Sequence, residues 1–357
     1  MPCAVKQIQV RNYHGIIKTG IHLPIDARWV FLTGENAYGK TAILRALTIG
    51  LFGARDQNTV LLDPDSKSKI VVEIYHNGKN LLNNVGAPGF KPFGYFAAYG
   101  SSRIEIQSDR TTGEITGRSS KTYSIFNTDG VSLNIEREMV LWFIDGDPRY
   151  DIVRKVLVEL LPHGADITVD RKKKEVTYIE KENKENGGSF FDPIPFQKLA
   201  AGNKSIIAMI GDLLIRFYKE YEKDGKTDIR PVDFEGIVII DELDLHLHPI
   251  WLQKLPGLLS GLFPKIQFIA ATHSEIPILG APKESVLLKV TRNREQGIHI
   301  ERLHVDFKNL LPHHLLTSPI FELDKIIPAA NERLSDMRTL DNYYESLEID
   351  DIMDDLR

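Results

Sequence analysis

The hydrophobic pattern opens with strands. Residues 5–13, VKQIQVRNY, alternate polar and apolar side chains, the period of a half-buried strand. IHLPI (21–25) and WVFLTG (29–34) predict two more. KTAILRALTIGLFG (40–53) has helix-forming composition and stops at a glycine. KIVVEIYHNGKNLLNNV (69–85) reads as a hairpin turning at Asn77-Gly78, and FGYFAAYG (93–100) as a buried strand. Residues 101–130, rich in Ser, Thr, Gly, Asp and Arg, read as an exposed insertion. VSLNIEREMVLWFI (131–144) and PRYDIVRKVLVELLP (148–162) carry helical periodicity. ADITVDRKKKEVTYI (165–179) predicts a second hairpin with its basic run in the turn, and KENKENGGS (181–189) a loop. A long helix is expected within 196–223.

GIVII (236–240) and IQFIAAT (266–272) are short, β-branched apolar runs, typical of strands buried on both faces. A helical stretch, PIWLQKLPGLLSGLF (249–263), separates them, and strand–helix–strand order implies parallel pairing. The expected fold class is therefore α/β. No internal repeat and no sustained heptad pattern is visible. The end of the chain, NYYESLEIDDIMDDLR (342–357), is acidic, with Leu347, Ile349, Ile352, Met353 and Leu356 at roughly helical spacing. It reads as a helix that docks on a partner or as a frayed acidic terminus.

Composition narrows the class. Of 357 residues, 42% are hydrophobic and 26% charged, as in a globular chain. The net charge of −5, from 44 basic against 49 acidic residues, argues against a general polyanion-binding surface but leaves room for a local basic groove. The single cysteine, Cys3, rules out an internal disulfide and fits a reducing compartment. No apolar run reaches the ~18 residues of a membrane span, and MPCAVKQIQV lacks the design of a signal peptide. A cytoplasmic protein is expected.

Two stretches carry the chemistry. GENAYGKT (34–41) matches G-x-x-x-x-G-K-[ST], follows an apolar strand and opens a helix. Gly34 and Gly39 let the backbone wrap a phosphate, Lys40 can reach β- and γ-phosphates, and the Thr41 hydroxyl can ligate magnesium. DELDLHLHP (241–249) reads in isolation as a metal site, with Asp241, Glu242, Asp244, His246 and His248 as ligands. Beside a phosphate loop it reads as the second strand of a nucleotide hydrolase: Asp241 supports magnesium and Glu242 polarises the attacking water. The two histidines lack the CxxC or HExxH partner of a zinc site. Thr272, His273 and Ser274 end the 266–272 strand where a γ-phosphate sensor would sit; the alternative is a capped strand end.

In this order GENAYGKT, LAAGNKS (199–205), IVIIDELDLHLHP and ATHS (271–274) resemble the ABC-type ATPase heads of the SMC, RecF and OLD-like class. Within that class the chain is similar to small, coil-less bacterial ATPases carrying DE-x-D-x-H-x-H-P, among them Septu and retron-associated defence ATPases. The resemblance covers residues 4–290. It implies an ABC-type head: a mixed or parallel P-loop core sheet, an N-terminal antiparallel β-subdomain, a helical signature subdomain and no long coiled coil. The head would span 1–305, with a core lobe of 1–100 and 232–305 and a helical lobe of 101–231; residues 306–357 would form a helical extension.

The resemblance also implies ATP with Mg2+, bound between two heads. Asn36 and Ala42 join the phosphate loop, and Arg11 and Asn12 of VRNYHG match the segment that approaches the nucleotide. The signature loop brings Gly202, Lys204 and Ser205 to the partner's nucleotide, and Asp244 crosses the dimer interface. The family's usual serine is replaced by Ala200, so Ser205 or Asn203 substitutes or turnover is slow. AAYGSSR (97–103) stands where the family has its Q-loop. Arg103 would contact nucleotide or couple it to a partner, or else be a surface residue at a strand end. His246 and His248 become interface or packing residues. The RKKK turn (171–174) and Arg103, Arg110 and Arg118 are the candidate nucleic-acid contacts.

Only ~160 residues without heptads separate Lys40 from Gly202, which excludes an SMC-type arm. After His273 there is no constellation of a Toprim nuclease. The expected protein is a homodimeric or higher-order ATPase, acting through a separate nuclease of HNH type. DNA or a nucleic-acid complex remains a possible partner, and a membrane is not. The alternatives are a RecF-like DNA-repair ATPase and an ATP-binding scaffold with little turnover.

Overall fold

The computed structural model describes residues 1–53, 55–56, 59–60, 68–107, 117–182, 189–295 and 297–304. The expected C-terminal extension with its acidic tail, and Arg110, lie outside the described residues. In chain order the elements are β1 (Cys3–Tyr13), β2 (Ile16–His22), β3 (Trp29–Thr33), α1 (Lys40–Phe52), β4 (Arg55–Asp56), β5 (Thr59–Val60), β6 (Lys69–His76), β7 (Lys79–Asn84) and β8 (Phe96–Tyr99). Next come α2 (Tyr123–Phe126), α3 (Ile135–Asp145), α4 (Arg149–Leu160), β9 (Gly164–Asp170), β10 (Glu175–Glu180) and α5 (Ala201–Lys223). The last are β11 (Gly236–Ile240), α6 (Pro249–Leu262), β12 (Ile266–Ala271), α7 (Ile276–Leu279), β13 (Ser285–Asn293) and β14 (Gly297–Leu303).

Ten strands form one mixed sheet in the order β7-β6-β1-β2-β14-β13-β3-β12-β11-β8. From β13 to β8 every neighbour is parallel; from β7 to β13 every neighbour is antiparallel. The fold is thus the expected α/β class with a mixed core sheet. The predicted parallel pairing of the 236–240 and 266–272 runs is observed, with Val238 opposite Phe268. Sequence patterning explains the layers. Alternate residues of a strand face opposite sides. Trp29, Phe31, Val238, Ile240, Phe268 and Ala270 pack under α3–α6, while Val30, Leu32, Ile237, Ile239, Ile269 and Ala271 pack with α1 and the antiparallel strands. Each central strand is buried on both faces, as its continuous apolar run requires.

The helices begin and end where local chemistry dictates. Asn134 caps α3 by accepting from the Arg137 N–H at 3.0 Å, and Gly146 closes it in the left-handed region. Pro249 starts α6 and Ser260 accepts the Trp29 indole N–H at 2.9 Å, so the buried ring keeps its polar partner. Among the described residues no helix is long and apolar enough to cross a membrane.

Two expectations shift. The strand anticipated at 21–25 is β2, seven residues from Ile16, which ends before Pro24, a residue with no N–H to donate. Sequence patterning gave no element for 285–303, yet β13 and β14 form a hairpin there and insert β13 beside β3.

Candidate functional site

The C-terminal ends of β8, β11, β12 and β3 lie side by side and are stitched together by backbone bonds. Asp241 N–H donates to Tyr99 O at 2.8 Å, Leu243 N–H to Ala271 O at 2.9 Å, and Thr272 N–H to Leu32 O at 3.1 Å. The 34–41 loop, Asp241–Asp244 and Thr272–Ser274 each follow one of these ends. In an open α/β sheet this edge is where ligands bind.

Gly34–Gly39 leads from β3 into α1, with Glu35, Asn36 and Ala37 exposed at its crown and Thr41 and Ala42 half-buried in the first helical turn. Gly39 has φ 100°, and a Cβ there would come within 2.3 Å of Ile298 Cδ1, so only glycine fits. Ile298 in turn bonds Gly15 O at 3.0 Å, which brings the β1–β2 turn to the loop. Asn12 lies near the end of β1, just before that turn, in a left-handed conformation, φ 51°, and Arg11 lies exposed on the same strand in register with Lys18 and Lys69.

Lys40 is 5% exposed and its ammonium curls into the loop. It donates to Gly34 O (2.7 Å), Glu35 O (3.0 Å) and His273 Nδ1 (3.2 Å). Burial lowers the Lys40 pKa, and the carboxylates of Asp241 and Asp244 oppose the fall. His273 is likewise lowered, first by burial and then by Lys40, with Asp244, Glu242 and Asp241 opposing. An ammonium can only donate, so His273 Nδ1 accepts and the ring is neutral. Lys40, Asp241, Glu242, Asp244 and His273 therefore share one electrostatic neighbourhood.

Asp241 is 7% exposed and its Oδ1 accepts the Glu242 N–H at 3.2 Å. Glu242 takes φ 50°, unusual for a residue with a Cβ. The resemblance sends Asp244 across a dimer. Here its Oδ1 turns to its own chain, accepting from Thr272 Oγ1 at 2.9 Å and the His273 N–H at 3.2 Å. The strand-end trio of Thr272, His273 and Ser274 is thus both a capped turn and the bearer of a histidine beside Lys40.

The LAAGNKS loop opens α5. Ala200 is its N-cap and supplies no side-chain bond to the first turn. Gly202 packs against the turn after β11: a Cβ would lie 2.8 Å from His246 O. Asn203 is buried and gives its amide to Glu180 Oε1 at 2.8 Å, and Lys204 N–H donates to Ala200 O at 3.0 Å. Ser205 is a correction. It is 2% exposed and its hydroxyl accepts from Arg103 Nε at 3.2 Å, so it faces the protein interior and not the cleft a second nucleotide would enter. That cleft, about 590 Å³, is lined by Ala200, Gly202, His246, His248, Trp251 and Lys254 among others.

The reading of Arg103 as a surface residue is overturned: it is 2% exposed and makes four hydrogen bonds below the site. His246 and His248 are exposed, and His248 Nδ1 caps α6 by accepting from the Ile250 N–H at 3.4 Å. Among the described residues no group of three or more His, Cys, Asp or Glu is arranged to hold a metal ion. Residues that sequence reasoning passed over are Ile298, which fixes the phosphate loop from β14, and Tyr99, whose hydroxyl bonds Asp212 Oδ2 at 2.9 Å under the site.

Comparison with known proteins finds ATPase relatives. Residues 151–277 match the family model described as "AAA domain, putative AbiEii toxin, Type IV TA system". The Septu protein PtuA of Bacillus mycoides (strain KBAB4) is 27% identical over 362 residues, covering 95% of this chain and 47% of that protein. The chain thus spans about half the length of that relative. The retron Ec83 probable ATPase of Escherichia coli is 43% identical over 77 residues, 22% of this chain and 14% of that one. Among solved structures, the SMC head domain of Thermotoga maritima aligns over 84% of this chain and 99% of its own, at 14% identity and a TM-score of 0.43. The chain carries an AAA-family ATPase domain, and Septu PtuA and the retron ATPases are its homologues.

Proposed function

We propose that the chain binds ATP with magnesium in the 34–41 loop, hydrolyses it, and serves as the ATPase of an anti-phage defence complex that controls a separate nuclease. One observation carries the reading. The Lys40 ammonium is buried in the mouth of a glycine loop at the strand ends, on neutral acceptors, beside Asp241, Glu242, Asp244 and a neutral His273. A polyphosphate is the ligand that takes such an ammonium from its carbonyls and gives it a better partner.

The roles follow from chemistry. The loop N–H groups and the N-terminus of α1 cradle the phosphates, and Lys40 turns to the β- and γ-oxygens. Thr41 and Asp241 are the residues that would hold magnesium, which supplies positive charge to the phosphate oxygens. Their donor set, a hydroxyl and a carboxylate, is all-oxygen and suits that hard ion. Glu242 accepts a proton from water as that water attacks the γ-phosphorus and ADP leaves. His273 offers its ring to the γ-phosphate. Asp244 holds His273 in place through the Thr272 turn.

A second copy of the chain completes the arrangement in this reading. The α5 N-terminus, uncapped at Ala200, then meets the partner's γ-phosphate. Apolar Phe190, Phe191 and Ile250 are 68%, 55% and 58% exposed, which supports an interface on this side. The lobes would divide at residues 100 and 232, as the sequence suggests. Homology to Septu PtuA and retron ATPases supports the defence role. Titration with a fluorescent ATP analogue tests the site: Lys40→Ala should weaken binding by more than about 100-fold, roughly one buried charged contact. Unchanged affinity would overturn the assignment.

A further inference from the structure

Arg103 is charged, buried and unused by the roles above. Its guanidinium donates to Gly100 O (3.1 Å), Asp241 O (2.6 Å), Glu242 O and Ser205 Oγ (3.2 Å). Four acceptors in three directions use most of the five N–H groups of the fork, and none is a carboxylate. Burial lowers its pKa to about 10, opposed in order by Asp241, Glu242 and Asp244, so the charge persists at neutral pH. Burying a cation without a directly bonded anion is costly. The cost is offset by what the fork holds.

Two of its acceptors are the carbonyls of the two residues proposed to hold magnesium and activate water. Glu242 stands at φ 50°, a left-handed conformation that is strained for a residue with a Cβ. The Arg103 bond to Glu242 O, together with the Leu245 N–H that donates to the same oxygen at 3.0 Å, fixes that turn. The fourth acceptor, Ser205, lies in the first turn of α5, one residue beyond Lys204. Arg103 touches both the α5 start and the Asp241–Glu242 backbone by side-chain hydrogen bonds.

We infer that Arg103 is a positioning residue that sets the aim of Glu242 and ties it to the first turn of α5, so that a second copy seated at the α5 N-terminus acts on water activation through it. The link rests on the proposed ATP site. It explains why Ser205 faces inward: its hydroxyl serves the arginine and not a nucleotide.

The test separates binding from turnover. In Arg103→Lys the charge stays but a single ammonium cannot span the four acceptors. Turnover per bound ATP should fall about 10- to 100-fold, the effect of small misplacement of a catalytic group, with ATP affinity held within about threefold. Ser205→Ala removes only the α5 end and should lower kcat about two- to fivefold. The double variant should turn over no more slowly than Arg103→Lys alone, within about twofold, because both act on one link. Affinity and turnover falling together in Arg103→Lys, or unchanged turnover in Ser205→Ala, would overturn the inference; if Arg103→Lys does not fold, Ser205→Ala decides it alone. Wild-type chain that takes up no ATP would instead overturn the nucleotide reading, and this link with it.

Discussion

Arg103 and Arg216 are both buried, 2% and 9% exposed, yet they are handled in opposite ways. Arg216 has its own anion. Its guanidinium grips both oxygens of Asp212, whose Oδ1 also accepts the Leu133 N–H at 2.8 Å and whose Oδ2 accepts the Tyr99 hydroxyl at 2.9 Å. Burial pulls its pKa down, but Asp212 and Tyr99 together outweigh that and the net change is upward. Arg103 has only carbonyls and a hydroxyl, and its pKa falls to about 10. The Arg216 pair joins α5 to β8 and the segment after β8, a matter of folding. The Arg103 charge is balanced at a distance by the three acids of the site, Asp241, Glu242 and Asp244.

The largest effect is expected at Asp212→Ala, which leaves the Arg216 charge buried and unpaired. It should cost about 3–5 kcal/mol of stability in urea unfolding, and the apolar pair Asp212→Leu with Arg216→Met should cost less than that single change. A loss below about 1 kcal/mol would make the two arginines equivalent. Next is Arg103→Met, which orphans carbonyls at a strand end and should cost about 1–3 kcal/mol, with the larger consequence in turnover.

A smaller effect concerns pH. The folded His273 pKa lies below 6.5, so as pH falls beneath that value the unfolded chain takes up the proton first and the fold loses stability; above it the ring is neutral in both states and contributes no slope. His273→Gln should flatten that acid-side slope in thermal melts, and an unchanged slope would remove the ring from contact with Lys40. The smallest expected effect is none: His246→Ala with His248→Ala should leave transition-metal content unchanged by elemental analysis.

The local signals were legible in the sequence because each resides in consecutive residues. GENAYGKT, the IVIIDE strand end and the ATHS strand end all sit where patterning put them, and parallel pairing of β11 and β12 follows from the strand–helix–strand order of 236–272. What was illegible depends on distant partners. The Asp241 carbonyl that Arg103 bonds is 138 positions away in sequence, so AAYGSSR alone leaves its terminal arginine open between a nucleotide or partner contact and a surface residue. Gly202 looks like a phosphate-binding glycine, yet the reason a side chain cannot stand there is His246 O, brought close only by folding. Ser205 has the right chemistry for a nucleotide contact and the wrong direction, which is set by its place on the inner face of α5. The β13–β14 hairpin is hidden because β13 pairs in parallel with β3, far away in sequence, and carries no Asn-Gly turn.

The central claim is that Asp241, Glu242 and Lys40 belong to one ATP-hydrolysing site. Phosphate release and fluorescent-ATP binding measured together on Glu242→Gln test it most directly. Binding should match wild type while turnover falls about 100-fold or more, the loss of a general base. Glu242→Gln that hydrolyses ATP at the wild-type rate would contradict it.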